Sequence, residues 1–346
     1  MDPSTPRTPE RDKRPGLHYV LTADGIEVPV IDLTHPAFAF EPDDAEMERR
    51  IAAFVRQTRA RERLPRLVSR LLVRIALRKS FLARGIRAAA GTFLSGVGAY
   101  LLKLGPELLG AGWAQPVDRR IADALPAVSM RLRMLDMARL LLAGVTPALA
   151  ARRSPLHLVN LGGGPSPDSW NAVLMLRRDR PDLLDGRAVR IHALDVDAEG
   201  PALGARAVAA LRGPGAPLDG LDVALAHAPY DWTRPDTLGA VLAALPGDAP
   251  VVAVSSEGAL LEYADDACVV ANLAALRDLT PADTVVAASA TGDGEVAALL
   301  HGSGRVPLRP RSAEALAALV GRAGWRVERV IPRPACRDVL LVKAGS

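Results

Sequence analysis

The chain has 346 residues, 49% of them apolar and 24% charged, enough to bury a sizeable core and to exclude wholesale disorder. Its two cysteines, Cys268 and Cys336, exclude a disulfide scaffold and form no zinc-ligand spacing. The net charge of +4 is uneven: residues 1–150 hold 23 Lys/Arg against 16 Asp/Glu, and residues 151–346 hold 20 against 23.

Residues 1–16 read as a disordered tail, polar and proline-rich, with no apolar stretch behind them to make a signal peptide. A cytoplasmic location is the expectation. The segment HYVLTADGIEVPVIDL alternates like a strand pair around Asp24-Gly25 and predicts a small hairpin. From Asp43 to about Ala150 the pattern turns helical, with breaks at Gly105-Pro106, Gly112, Pro116 and Pro126. Four or five helices are expected there, the last from about Ala127 to Ala143.

Thirteen Lys/Arg between Arg49 and Arg87 face one acid, Glu62. Among them Arg66, Arg70, Arg74 and Arg78 fan along one helix face. A solvated basic face opposite the leucines is the simple reading, and an anionic partner or membrane surface the sharper one. Only Phe54 and Phe81 are nearby, so the aromatics that nucleic-acid binding needs are missing. The uncharged stretch Ala88–Leu102 is too short to span a membrane and reads as a buried core helix.

After Ala150 short valine-rich runs alternate with helical stretches: LHLVNL, VRIHAL, LDVALA, PVVAVS, DTVVAAS, WRVERVI and VLLVKA. That alternation predicts an α/β fold with a Rossmann-like parallel sheet of seven strands. Only PRPACR separates the last two strands, which must therefore form an antiparallel hairpin. In such sheets ligands bind beyond the carboxyl ends of the strands, at the switch point.

The first strand runs into Gly162-Gly163-Gly164-Pro165-Ser166-Pro167-Asp168. The glycines allow a sharp turn and close ligand approach. The prolines remove amide donors that a pyrophosphate would use, so a ligand without one is favoured. Asp195, at the end of strand two, can accept hydrogen bonds from a ribose diol. Strand three ends in HAPYDW, offering His227, Tyr230, Asp231 as acceptor for an exocyclic amine, and Trp232 as an apolar wall. Strand four ends in SSEGALLEY, which presents Ser255, Ser256, Glu257, Glu262 and Tyr263. Only thirteen residues are aromatic, yet Trp170, Tyr230, Trp232 and Tyr263 fall at or just beyond strand ends, where ring faces attract a cation. Core packing competes for Trp170, and an ordinary strand-end role for His227.

The order of elements over 155–343, the GGG loop, the acid closing strand two and the terminal hairpin resemble class I S-adenosylmethionine-dependent methyltransferases. That family's first motif reads acid-x-Gly-x-Gly-x-Gly; Asn160, Gly162 and Gly164 match its first three marked positions, with Asn160 replacing the acid and Ser166 the last glycine. The resemblance implies S-adenosylmethionine as cosubstrate, held by Asn160, Gly162, Gly163, Gly164, Asp168, Asp195, Asp231, Trp232 and Ser255. It also implies a helical N-terminal cap or substrate domain over 17–150 and a nucleoside-binding domain over 151–346. Tyr230, His227, Glu257 or Glu262 would position or deprotonate a small-molecule nucleophile of secondary metabolism, with Ser256, Tyr263 and Arg131 toward the substrate. Arg131 and Arg133 are candidates for a substrate carboxylate, against ordinary surface pairing.

A second reading keeps the cosubstrate and uses its aminocarboxypropyl arm, either cyclised to azetidine-2-carboxylate with release of methylthioadenosine or transferred as in nicotianamine synthase. A third is a non-catalytic Rossmann-like scaffold. No metal-ligand spacing appears. Homo-oligomerisation is left open.

Overall fold

Alternation of buried strands with amphipathic helices builds a single seven-stranded sheet in the order β5-β4-β3-β6-β7-β9-β8. The computed structural model describes residues 7–63, 80–88, 93–245, 249–302 and 308–345. Its large-sheet strands are β3 (Leu156–Leu161), β4 (Val189–Asp195), β5 (Val223–Pro229), β6 (Val251–Ser256), β7 (Val285–Thr291), β8 (Trp325–Pro332) and β9 (Cys336–Lys343). The first five are parallel; β9 enters antiparallel between β7 and β8, as the short PRPACR link demands. This is a doubly wound Rossmann-like arrangement, and its switch point lies between β3 and β6.

The expected hairpin is present as β1 (Tyr19–Leu21) and β2 (Glu27–Pro29). Gly25, at φ +79°, supplies the left-handed turn residue. The expected disordered tail is a correction where it is described. Thr8 donates its N–H to Glu27, and Lys13 bridges Glu10 and Glu27, so residues 7–16 pack along the hairpin.

Five helices lie between the hairpin and β3 among the described residues: α1 (Asp44–Glu62), α2 (Phe81–Ala88), α3 (Gly96–Lys103), α4 (Pro116–Ala122) and α5 (Leu125–Ala151). Pro116 and Pro126 sit in the first turns of α4 and α5, where no N–H is needed. The last helix was expected to stop near Ala143, but α5 continues through Gly144 and Pro147. Gly144 lets it pass close to the sheet: a Cβ there would lie 2.7 Å from the Val285 side chain. Among the described residues α5 is the one helix long and apolar enough to cross a membrane; 56% of its apolar window is buried inside the fold, where it serves as a core helix. The four-arginine ladder of Arg66, Arg70, Arg74 and Arg78 lies outside the described residues, as does part of the uncharged stretch before Phe93. Of the basic residues described nearby, Arg50 pairs with Glu46 and Asp123, and Arg59 with Glu295.

The remaining helices are α6 (Pro167–Asp179), α7 (Glu199–Leu211), α8 (Pro235–Ala243), the single turn α9 (Leu260–Tyr263), α10 (Asp266–Leu279), α11 (Glu295–Gly302) and α12 (Ala313–Arg322). One sheet face buries Leu158, Ile191, Ala253 and Val285 against α5, α6 and α7, in a core that continues into Tyr100, Val28 and Ile31. The other face buries Val159, Leu194, Val254 and Val286 against α8, α10 and α12. Residues before and after position 150 therefore share one hydrophobic core. Trp170 belongs to it: wholly buried, it donates Nε1–H to the Ile31 carbonyl at 2.8 Å, which decides for packing over a role at the strand ends.

Candidate active site

The loop after β3 is shaped by three left-handed residues, Gly162 (φ +70°), Gly164 (φ +58°) and the buried Ser166 (φ +65°). Gly164 is pressed between two other glycines. A Cβ on it would lie 2.6 Å from Gly96 Cα, and one on Gly200 would lie 2.9 Å from Gly164 Cα. Hence α3, capped by Ser95 accepting from Gly98 N–H, seats its first residue directly on the loop. The cap and the glycine bend are in van der Waals contact, which only residues without side chains permit.

Asp195 ends β4 beside this bend. Its Oδ2 accepts from Gly164 N–H and its Oδ1 from Asp197 N–H, both at 2.9 Å. Burial raises its pKa, opposed by those two backbone bonds. A carboxylate has about four lone-pair sites, so capacity remains for a diol. His227 braces the same residue, its Nε2 lying 2.9 Å from the Asp195 carbonyl oxygen.

Trp232 packs against Gly162, where a Cβ would come within 3.2 Å of its ring. Phe93, from the segment before α3, meets Trp232 edge-to-face at 5.4 Å and Tyr263 at 4.8 Å between ring centroids. Trp232 and Tyr263 are thus brought together, as their place at the strand ends suggested, and Phe93 joins them from the cap. Burial, aided by the Glu262 charge, lifts the Tyr263 hydroxyl to a pKa of about 12.

Beneath the cap lies a buried polar band. Asn160 donates from Nδ2 to Asp168 Oδ1 at 2.8 Å, with Ser255 Oγ at 2.9 Å. Asp168, eight residues on, thus sets a buried carboxyl beside Asn160. Desolvation, reinforced by the Glu257 charge, raises Asp168 to a pKa of about 6. Lys103 of α3 bonds Glu257 Oε2 at 2.8 Å, and Arg133 of α5 bonds Glu262 Oε1 at 2.6 Å. Burial lowers the pKa of the Arg133 guanidinium, but Glu262 and Glu257 outweigh it and hold it protonated. Further along, Arg333 forks onto Asp136 at 2.6 and 2.7 Å. Asp338 lies beside them, its pKa pushed well up by burial against the pull of Arg133.

Several expected site residues belong elsewhere. Tyr230 is buried on the opposite face and donates its hydroxyl to Asn272 of α10; burial raises its pKa, so it is no base for a substrate. Ser256 is spent on the Leu161 carbonyl and the Leu260 N–H. Arg131 stacks on Phe40 at 3.9 Å and lies beside Gly105, while Arg133, two residues on, enters the site. Asp231 is exposed and binds Thr233 of its own turn. Glu262 acts by fixing Arg133. Lys103 and Phe93 were missed. Lys103 had a signal, as the lone charge in YLLKL, where an apolar helix carrying one cation implies a buried partner. Among the described residues no group of three His, Cys, Asp or Glu could hold a metal ion.

No protein-family model matches the sequence, and no curated protein matches it. Solved structures are similar to it, one of them at the level of the fold. A possible exported protein from Bordetella parapertussis is 19% identical, over 89% of this chain and 100% of that one, with a TM-score of 0.55. The N,N-8-amino-8-demethyl-D-riboflavin dimethyltransferase RosA of Streptomyces davawensis is 14% identical over 66% of this chain and 60% of its own, at a TM-score of 0.39. Human N-acetylserotonin methyltransferase, solved in complex with SAM, is 13% identical over 64% and 55%, also at 0.39. The match thus spans less than two thirds of either methyltransferase.

Proposed function

We propose that the protein is an S-adenosylmethionine-dependent transferase that methylates a small molecule of secondary metabolism. The observation that carries this reading is the bend at the switch point, where Gly164 N–H is bonded to the Asp195 carboxylate and Trp232 packs on Gly162. A glycine bend with a carboxylate on the neighbouring strand suits a ribose beside a closely approached backbone. S-adenosylmethionine supplies an electrophilic carbon on a sulfonium. Asp195 would hold the sugar, and His227 would keep the Asp195 backbone in place. Trp232, Tyr263 and Phe93 would wall the sulfonium from water with ring faces that favour a cation. The carboxyls best placed to receive a proton from an acceptor are Asp168 and Glu257, whose Oε1 has no hydrogen bond and lies 3.6 Å from Arg133 Nε.

The aminocarboxypropyl alternative is favoured by one feature, the density of buried charge next to the bend. Incubation with S-adenosylmethionine alone, followed by mass spectrometry, separates the two. S-adenosylhomocysteine formed only with an acceptor supports methyl transfer. Methylthioadenosine formed without one supports aminocarboxypropyl chemistry, and calorimetry with no binding of either nucleoside leaves only a scaffold.

A further inference from the structure

A cavity of about 230 Å³ lies in the cap, between residues 8–19 and the chain that follows α3, residues 107–119. None of the described residues lining it belongs to the site at the glycine bend. A cavity of about 150 Å³ holds benzene, so this one has room for a ring carrying a small polar group. Two buried polar atoms without a hydrogen-bond partner meet here, Thr8 Oγ1 and Trp113 Nε1. Their residues are only 7% and 9% exposed. Both atoms converge on Gly110, which lines the cavity: a Cβ there would lie 2.6 Å from Trp113 Nε1 and 3.3 Å from Thr8 Oγ1. The other buried indoles are paired, Trp170 with the Ile31 carbonyl and Trp325 with the Leu273 carbonyl, each at 2.8 Å. Buried indole N–H groups usually find such a partner, so Trp113 is the exception that needs a reason. Neither residue is loose. Trp113 packs edge-to-face on Phe81 at 5.5 Å between ring centroids, and Thr8 N–H bonds Glu27 Oε2 at 3.0 Å.

We propose that this cavity binds a small monocarboxylate with an apolar body. An indole N–H is a donor only, so the ligand must bring an acceptor, and the Thr8 hydroxyl can donate to the same group. Arg14, on the wall, makes no ion pair among the described residues and has only a 3.5 Å contact with the Glu107 carbonyl, which leaves its charge for the ligand. Arg119 adds a second positive charge while its guanidinium holds the Pro106 and Leu109 carbonyls. Leu108 and Leu109 supply apolar surface for the body of the ligand. An ammonium has no acceptor and would leave the indole unpaired. The exposed acids Asp12 and Glu107, on the same wall, repel a second negative charge and so restrict the ligand to one carboxylate.

Benzoate titrated into the full chain by calorimetry tests the assignment. It should bind saturably at one site per chain. Trp113→Phe keeps an aromatic ring, removes the N–H and should weaken benzoate by about tenfold or more. Thr8→Val, close in shape and without the hydroxyl, should do the same and serves if W113F fails to fold, as judged by circular dichroism. Arg14→Gln, at an exposed residue, should weaken benzoate by about threefold or more while leaving benzamide within about twofold. On the wild type, benzamide, which keeps the acceptor oxygen without the charge, and phthalate, which adds a second carboxylate, should each bind about fivefold or more weakly than benzoate. No saturable heat, as for a cavity holding water only, overturns the proposal. So does any of these differences falling short of its stated factor in a folded protein.

Discussion

Replacing Gly164 by alanine tests the contact between cap and loop. At φ +58° an L side chain is strained by roughly 1–2 kcal/mol. The new Cβ would also lie 2.6 Å from Gly96 Cα, a backbone atom at the start of α3 that moves only if the helix moves. Overpacking of that kind costs about 1–3 kcal/mol, so the total destabilisation is about 2–5 kcal/mol. For a chain of this length each kcal/mol lowers the melting temperature by about 2 °C, giving a drop of about 4–10 °C in a circular dichroism melt. Two controls divide the sum. Gly186→Ala, at φ +66° with nothing within 4 Å, carries the strain alone. Gly96→Ala, whose Cβ would lie 2.8 Å from Gly164 Cα, carries the crowding without a left-handed backbone. If G164A melts no lower than G186A, the cap does not rest on the loop and the site drawn above is wrong.

Other outcomes follow from the same geometry. Lys103→Met leaves Glu257, whose side chain is 2% exposed, with only the more distant Arg133, and should destabilise the fold by about 3 kcal/mol in urea titration; a loss under about 1 kcal/mol would contradict a buried pair. Asp195→Ala should weaken nucleoside binding by about 1–3 kcal/mol in calorimetry, and unchanged affinity would show the sugar to be held elsewhere. Asp168, raised to about 6 in the fold from the ordinary 3.8, binds more protons folded than unfolded between those values, so its contribution to stability falls as pH rises from about 4 to 6. The loss is about 2–3 kcal/mol, and it should vanish in D168N when wild type and variant are compared across that range. Trp170→Phe removes the indole donor from the Ile31 carbonyl, which keeps Asn171 Nδ2 at 3.1 Å, and should cost about 0.5–1.5 kcal/mol, read as a shift in denaturation midpoint.

The sheet was legible because its signals are local. Valine-rich runs of six or seven residues, broken by glycine and proline, locate β3 to β7 within a few positions, and the six-residue PRPACR link forces the final reversal. Asp195 and the glycine bend were legible for the same reason: a strand end and the loop after it follow from the strand itself. Roles that depend on which way a side chain points were not. Tyr230 and Ser256 sit at strand ends, yet by the two-residue period they face α10 and α9 rather than the cap. Arg131 and Arg133 are two residues apart on one helix, about 200° around its axis, and only the packing of α5 on the sheet decides which one is buried. The meeting of Lys103 with Glu257 spans 154 residues and has no short-range trace beyond one cation in an apolar run.

The reversal of β9 has a consequence for what the last strand delivers. Thr291, at the carboxyl end of β7, pairs with Cys336, while Val342 lies opposite Val285 at the far end. A strand running with its neighbours would have brought Lys343 to the ligand edge. Running against them, it lays its opening residues there, and Asp338 arrives next to Arg133 and Asp136 without any loop of its own. The closing hairpin therefore does more than seal the sheet: it lends an acidic group to a buried polar band drawn mostly from segments that precede β7.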